Sequence, residues 1–259
     1  MVVSKKLVDL TSRSTGLLAF LVLWEITPRL GWVKPTYITP PTGVARALWH
    51  LACTGELWKH TAISLQRVLI SLALSTAVGV LFGLFIGYFR RVERNLDLLF
   101  QAFRQMSAFA LFPVFILLFG LGELSKTIII FWASLWPILL NTSTGVRNVD
   151  RVLIRSTQSM GASKAYIFLH VILPAAAPEI FTGIRLGGSY CVMAVVAAEM
   201  IGALSGLGWL VIYSQDTFNI PDMYAGIVGL AILGMGLNYV LSWIENRFTR
   251  WRQNVYAGE

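Results

Sequence analysis

The chain has 259 residues, 56% of them hydrophobic and only 13% charged, with a mean hydropathy of +0.68. That leaves too little polar surface to coat a soluble domain of this size, so an ordinary soluble fold is excluded and a bundle of membrane-spanning helices is expected. The formal net charge of +8 does not indicate nucleic acid, because the basic residues form short clusters between apolar runs rather than one polar face.

A span needs roughly 20 mostly apolar residues. Runs of that kind predict membrane helices at 14–32, 62–88, 98–120, 125–145, 178–203 and 223–245, an all-α polytopic protein whose even number of spans puts both ends on one side. The first run follows Lys5 and Lys6 and has no small-x-small cleavage site after Leu17 to Trp24, so it is read as an uncleaved span, interrupted by Glu25, Pro28 and Arg29. The stretch 33–61 is longer than a connection requires: Tyr37 to Thr42 is extended, and Val44 to Leu51 has helical periodicity suited to the membrane surface. In the second span Gly79, Gly83 and Gly87 recur at every fourth position and make a face for close helix packing. After the Trp136-Pro137 kink, Asn141, Thr142, Ser143 and Thr144 read as a polar helix end with capping and loop roles. The second long connection, 146–177, holds a helical segment from Val152 to Leu169 that Pro174 is expected to stop, because proline donates no backbone hydrogen bond.

Lys5, Lys6, Arg13, Arg90, Arg91, Arg94, Arg147, Arg151, Arg155, Lys164, Arg247, Arg250 and Arg252 fall on one side, against Arg29, Lys34, Arg46, Lys59 and Lys126 on the other. The positive-inside rule makes the first side, with both termini, cytoplasmic. Trp32, Trp58, Trp209 and Trp243 lie near span ends as an aromatic belt requires, and Cys53 and Cys191, far apart in sequence, read as packing residues. His50, His60 and His170 show no HExxH pattern and are placed outside the spans, which argues against an intramembrane enzyme and a metal site. A gradient-driven secondary transporter, the alternative reading, would carry paired acids or broken helices near mid-membrane in two related halves, and no such repeat is visible.

The segment Arg155-Ser156-Thr157-Gln158-Ser159-Met160-Gly161-Ala162-Ser163, followed by Leu173-Pro174, resembles the EAA loop of ABC importer permeases, with the glycine and the Leu-Pro pair at the family's spacing and Arg155-Ser156-Thr157 in place of the acidic-alanine-alanine triplet. The strings Tyr37 to Pro41, Gly55 to Trp58, Phe119 to Glu123, Gly145 to Asp150, Ala197 to Glu199 and Ser205 to Gly208 extend the likeness, closest to the type I subgroup that imports nitrate, bicarbonate, taurine and alkanesulfonates. The resemblance implies an N-terminal helix and external loop over 1–61, a permease core over 62–250 with the coupling loop at 151–174, and a cytoplasmic tail over 251–259. It implies an inner-membrane homodimer with two ATP-binding cassette subunits and an external solute-binding protein. This chain has no phosphate-cradling GxxxxGK[ST] loop and is expected to bind no cofactor, with ATP and Mg held by the partner ATPases. Arg155, Ser156, Thr157, Gly161, Ala162, Ser163, Leu173 and Pro174 would then contact the ATPase.

Ionisable groups inside a bilayer are costly and face protein or water, which singles out Glu25, Arg67, Arg104, Arg185 and Glu199. Arg104 offers planar paired donors to an anion, and Ser107, three residues on, shares its helix face. Glu199 is expected about 30 Å along its span, near the external mouth, where it gates the path or pairs with Arg67. Glu25, Arg67 and Arg185 read as structural. The expected solute is a small anion, a sulfonate or taurine on the Gly55 to Trp58 and Gly145 to Asp150 strings, with nitrate or bicarbonate next.

Overall fold

The computed structural model describes residues 2–30 and 37–249, with the side chains of 2–14, 17 and 93 excepted. Lys5, Lys6, Arg13, Trp32, Lys34, Arg250, Arg252 and the tail 251–259, all assigned places above, therefore lie outside the described residues or side chains. All regular structure among the described residues is helical: α1 (Val2–Arg29), α2 (Pro41–Cys53), α3 (Glu56–Tyr88), α4 (Arg90–Gln105), α5 (Phe112–Phe119), α6 (Glu123–Arg147), α7 (Arg151–Ser159), α8 (Lys164–Ile167), α9 (Leu173–Gly202), α10 (Leu207–Asp216) and α11 (Ile220–Phe248). Among the described residues α3, α6, the continuous α8–α9 path and α11 are long and apolar enough to cross a membrane. These coincide with the expected second, fourth, fifth and sixth spans.

The centre of the bundle is α3 packed on α6 and α6 packed on α9, with α11 along α9. Lipid gives helices no hydrophobic reason to associate, so contact must come from close approach. The glycines of α3 supply it as expected. A Cβ at Gly83 would stand 2.6 Å from Thr142 Cβ and 2.8 Å from the Leu139 carbonyl, and one at Gly87 would stand 2.7 Å from the Ser143 carbonyl. On another side of α6, a Cβ at Gly183 or Gly187 of α9 would stand 3.2 Å from the Pro137 or Ser134 carbonyl and 2.8 Å from the Asn141 or Ile138 side chain. Around these seams Val68, Ile129, Ile130, Ile138, Cys191 and Val195 form the buried apolar centre.

Several expectations are corrected. The 98–120 run is not one helix: α4 stops at Gln105 and α5 starts at Phe112. A helix running through would set the Pro113 ring against the Phe109 carbonyl and leave that carbonyl without its donor. Pro174 does not end a helix either. It sits in the first turn of α9, and a π turn at Phe168–Ile172, closed by Leu173 N–H to the Phe168 carbonyl, widens the helix just where the ring enters, so α8 runs on into α9. The helical segment Val152 to Leu169 is instead broken between Ser159 and Lys164. Asn141 to Thr144 are not a helix end: α6 continues to Arg147, and Thr142 and Ser143 are buried against the α3 glycines. Cys191 is buried as expected, but Cys53 is exposed at the last residue of α2. His60 lies inside α3 and is buried.

Glu25 accepts hydrogen bonds from the Thr42 backbone at 3.1 Å and hydroxyl at 2.9 Å, serving as a cap for α2, whose own Pro40 and Pro41 supply none, and it pairs with Arg29.

Gly83→Leu should destabilise the bundle by about 1–3 kcal/mol through overpacking. Gly236→Ala, where an added Cβ meets nothing within 4 Å, should stay within about 0.5 kcal/mol of wild type. Unfolding midpoints in detergent check both, and an unchanged Gly83→Leu midpoint would mean that α3 and α6 are not this close.

Candidate functional site

Three features stand out. The first is a buried charge network at the end of the bundle where α3 and α6 begin and α9 ends. Glu199 is 0% exposed and accepts from Arg67 Nη1 at 2.7 Å, Ser64 Oγ at 2.8 Å and the Gly208 backbone at 2.8 Å. Arg67 turns its other nitrogens to Glu123, Nε to Oε2 at 2.7 Å and Nη2 to Oε1 at 2.8 Å, and also donates to the Ser205 carbonyl. Lys126 Nζ adds a contact to Glu123 at 3.0 Å. Isolated charges are expensive to bury; here the buried Glu199, Arg67 and Lys126 are balanced by Glu123, whose side chain is 65% exposed at the rim, and the 203–208 turn is drawn onto the cluster. Gly206 N–H donates to His60 Nδ1 and Leu207 N–H to Ser64 Oγ. Gly206 has φ 117, and any Cβ there would fall 2.3 Å from the Glu199 carboxylate, so the turn requires glycine on both counts.

The second feature is a cleft of about 590 Å³ between the α4–α5 break, the middle of α6 and α9. Arg104 and Ser107 both line it, but across the break that follows Gln105 rather than through a shared helix face. Glu199 does not line it. Trp132, Trp136, Asn141 and Tyr190 do. The two indoles meet edge to face at 5.3 Å, and both Nε1 atoms are buried without a hydrogen-bond partner. An unpaired buried donor costs about 1–3 kcal/mol. Arg185, by contrast, pairs with Glu245 at 2.7 Å.

The third feature is a hairpin at the opposite end. Asp150 caps α7 by accepting from Val152 N–H at 2.8 Å, and α7 closes with a Schellman turn: Gly161 N–H donates to the Gln158 carbonyl and Ala162 N–H to the Thr157 carbonyl, with Gly161 at φ 79. Ser163 caps α8 by accepting from Tyr166 N–H. Nothing lies within 4 Å of a Cβ at Gly161, so within this chain the positive φ, not crowding, demands glycine there. Ile167, Ile172 and Ala176 anchor the hairpin to Val146 and Val149. Arg155, Ser156 and Gly161 remain exposed, as do Val152, Leu153 and Met160, the last at 85%. Leu173 and Pro174 stand apart from that outer face, at the start of α9.

Of the residues singled out from sequence, the structure brings Glu199 to Arg67 and Arg104 to Ser107. His60, Ser64, Glu123 and Lys126 were not singled out. A signal existed for the first two, since His60, Ser64, Arg67 and Ser71 follow the period of one helix face.

A bundle of membrane-crossing helices with a mostly apolar cleft at a broken helix, and a hairpin that displays Leu153 and Met160 among polar residues at one end, has the build of a membrane permease. The chain belongs to the family described as binding-protein-dependent transport system inner membrane component, whose profile matches residues 79–253. It is 34% identical over 239 residues to the aliphatic sulfonates transport permease protein SsuC of Escherichia coli, covering 92% of this chain and 91% of that protein. It is likewise 34% identical over 248 residues to the taurine transport system permease protein TauC of Escherichia coli, with 93% and 90% covered. The bicarbonate transport system permease protein CmpB of Synechococcus elongatus is 27% identical over 245 residues, with 91% and 87% covered. Among solved structures, an inward-facing conformation of the MetNI methionine ABC transporter aligns with a TM-score of 0.61 at 19% identity, over 76% of this chain and 95% of that one, a likeness of fold. The protein is thus a multi-pass inner-membrane ABC transporter permease.

Arg67→Met should cost about 3–5 kcal/mol by stranding the buried Glu199 carboxylate, and adding Glu199→Gln should restore part of it. Unfolding in mixed micelles measures the cycle. Equal stability of wild type and Arg67→Met would contradict the network.

Proposed function

We propose that this chain is the permease subunit of an ATP-driven uptake system, working as a homodimer that forms the translocation path for a small anionic solute. Two ATP-binding cassette subunits dock on its cytoplasmic side and an external binding protein delivers the solute. In this reading the chain crosses the membrane six times, α1 and α4–α5 adding to the four long apolar helices, and both termini face the cytoplasm. The permease catalyses nothing itself; ATP and Mg are handled by the cassette subunits.

The observation that carries the reading is the α7–Gly161–α8 hairpin, capped at both helix starts and stopped by a Schellman turn, with Leu153 and Met160 presented away from the bundle. Exposed apolar side chains on a rigidly anchored hairpin fit a groove in a partner. Arg155, Ser156, Thr157, Ala162 and Ser163 surround that face, while Leu173 and Pro174 belong to its hinge into α9. Names of the relatives support a sulfonate or taurine-like solute first and bicarbonate next, and nitrate ranks with bicarbonate as another small inorganic anion.

Affinity purification from the native membrane should recover an ATPase with wild type. Gly161→Val, strained at positive φ, should lose it by about tenfold or more, and Gly161→Asn, which tolerates that backbone, should keep most of it. Recovery of the permease alone, under conditions that preserve such complexes, would refute the proposal. Stimulation of ATP turnover by a sulfonate in the reconstituted system, against taurine, bicarbonate and nitrate, ranks the solutes.

A further inference from the structure

Within the permease reading, on which this rests, we infer that the cleft at the α4–α5 break binds an organic anion with an apolar body and discriminates against inorganic oxyanions. The charge comes first. Arg29, Arg67 and Arg185 each pair with a carboxylate, whereas Arg104, on the cleft wall, pairs with none among the described residues. Its guanidinium is free to offer two parallel donors to a sulfonate or carboxylate. Ser107 lines the same cleft, and the buried indole N–H groups of Trp132 and Trp136 stand at its wall with no acceptor from the protein. An anion lodged beside Arg104 is the acceptor these surroundings lack.

The rest of the lining sets the body of the solute. Tyr190, Met193 and Leu186 of α9 line the site along with the two tryptophans and Leu140, so most of its surface is apolar. No carboxylate among the described residues lines it. A nitrate or bicarbonate ion is of the order of one or two water volumes, each roughly 30 Å³, and would leave most of a 590 Å³ cleft unfilled against apolar walls. A short alkyl or aryl chain behind the anionic head removes that apolar surface from water and fills the space.

The test uses the complete permease–ATPase complex in nanodiscs, without binding protein, and radiolabelled butanesulfonate as probe. Wild type should bind it; unlabelled nitrate or bicarbonate in about hundredfold excess, and butanol at the same level, should not displace it, because one lacks the body and the other the charge. Arg104→Gln should weaken binding by about tenfold or more, Arg104→Lys by less, and Trp132→Phe, which keeps the ring and removes the N–H, by about threefold. Each variant is first shown to co-purify with its ATPase and hydrolyse ATP, so a failed assembly speaks to the permease reading and not to the cleft. Assembled wild type that binds no butanesulfonate, displacement by nitrate, bicarbonate or butanol, or Arg104 variants that bind like wild type would overturn the inference.

Discussion

In lipid, two helices gain nothing by hiding apolar side chains from each other, and what holds α3 to α6 has to be contact at distances a side chain would forbid. One face of α3 is built for this along its whole length. His60, Ser64, Arg67, Ser71, Ser75, Gly79, Gly83 and Gly87 fall in one row, and every one of them is buried. The row changes character along its length: at one end it is polar and admits carboxylates from α6 and α9, and at the other it is bare backbone against backbone. Because α6 is gripped in the same way by α9 through Gly183 and Gly187, the three helices behave as one slab to which the remaining elements attach.

Three of the irregular stretches of backbone meet a cleft, an outer face or a buried side chain. The α4–α5 break opens onto the cleft, the Gly161 turn onto the displayed hairpin face, and the 203–208 turn onto Glu199. That distribution follows from the cost of leaving peptide groups unpaired in hydrocarbon. The π turn at Phe168–Ile172 serves continuity rather than interruption. It lets a single helical path run from Lys164 beside the hairpin to Gly202 beside the charge network, 39 residues or roughly 58 Å at 1.5 Å per residue. The hairpin and the 203–208 turn thus stand at the two ends of one continuous helical path.

Reading the sequence located the long helices because burial in lipid demands apolar runs: 125–145 against Glu123–Arg147 and 223–245 against Ile220–Phe248 differ only at their ends. The glycine row was legible as a packing face, and the Gly161 segment by its spacing to Leu173-Pro174, though not its break into two helices. Prolines misled in both directions. Hydropathy overlooks the clash at Pro113 that divides the expected third span, while the local rule at Pro174 ignores that a single π turn absorbs the ring. The cleft was half legible, since Arg104 and Ser107 were named, but Trp132, Trp136 and Tyr190 join them only once α6 and α9 are set beside α4. The partnership of Arg67, Glu123 and Glu199 spans 132 residues of sequence between its outermost members and has no local signature.

A row of glycines at every fourth residue is almost unchanged by sliding one turn, so close packing alone leaves the register of α3 on α6 weakly specified. The charge network removes that freedom. A slip of one turn moves α3 by about 5.4 Å, enough to break both bonds from Arg67 to Glu123 and to pull Arg67 and Ser64 away from Glu199. The buried carboxylate would then be left in a dry site with the Gly208 N–H alone among its present partners, a penalty of several kcal/mol against the wrong register. Close contact from the glycines and alignment from the charges are thus separate contributions. The cleft depends on both, because Trp132 and Tyr190 line it from α6 and α9, and the spacing of those helices is fixed by the slab.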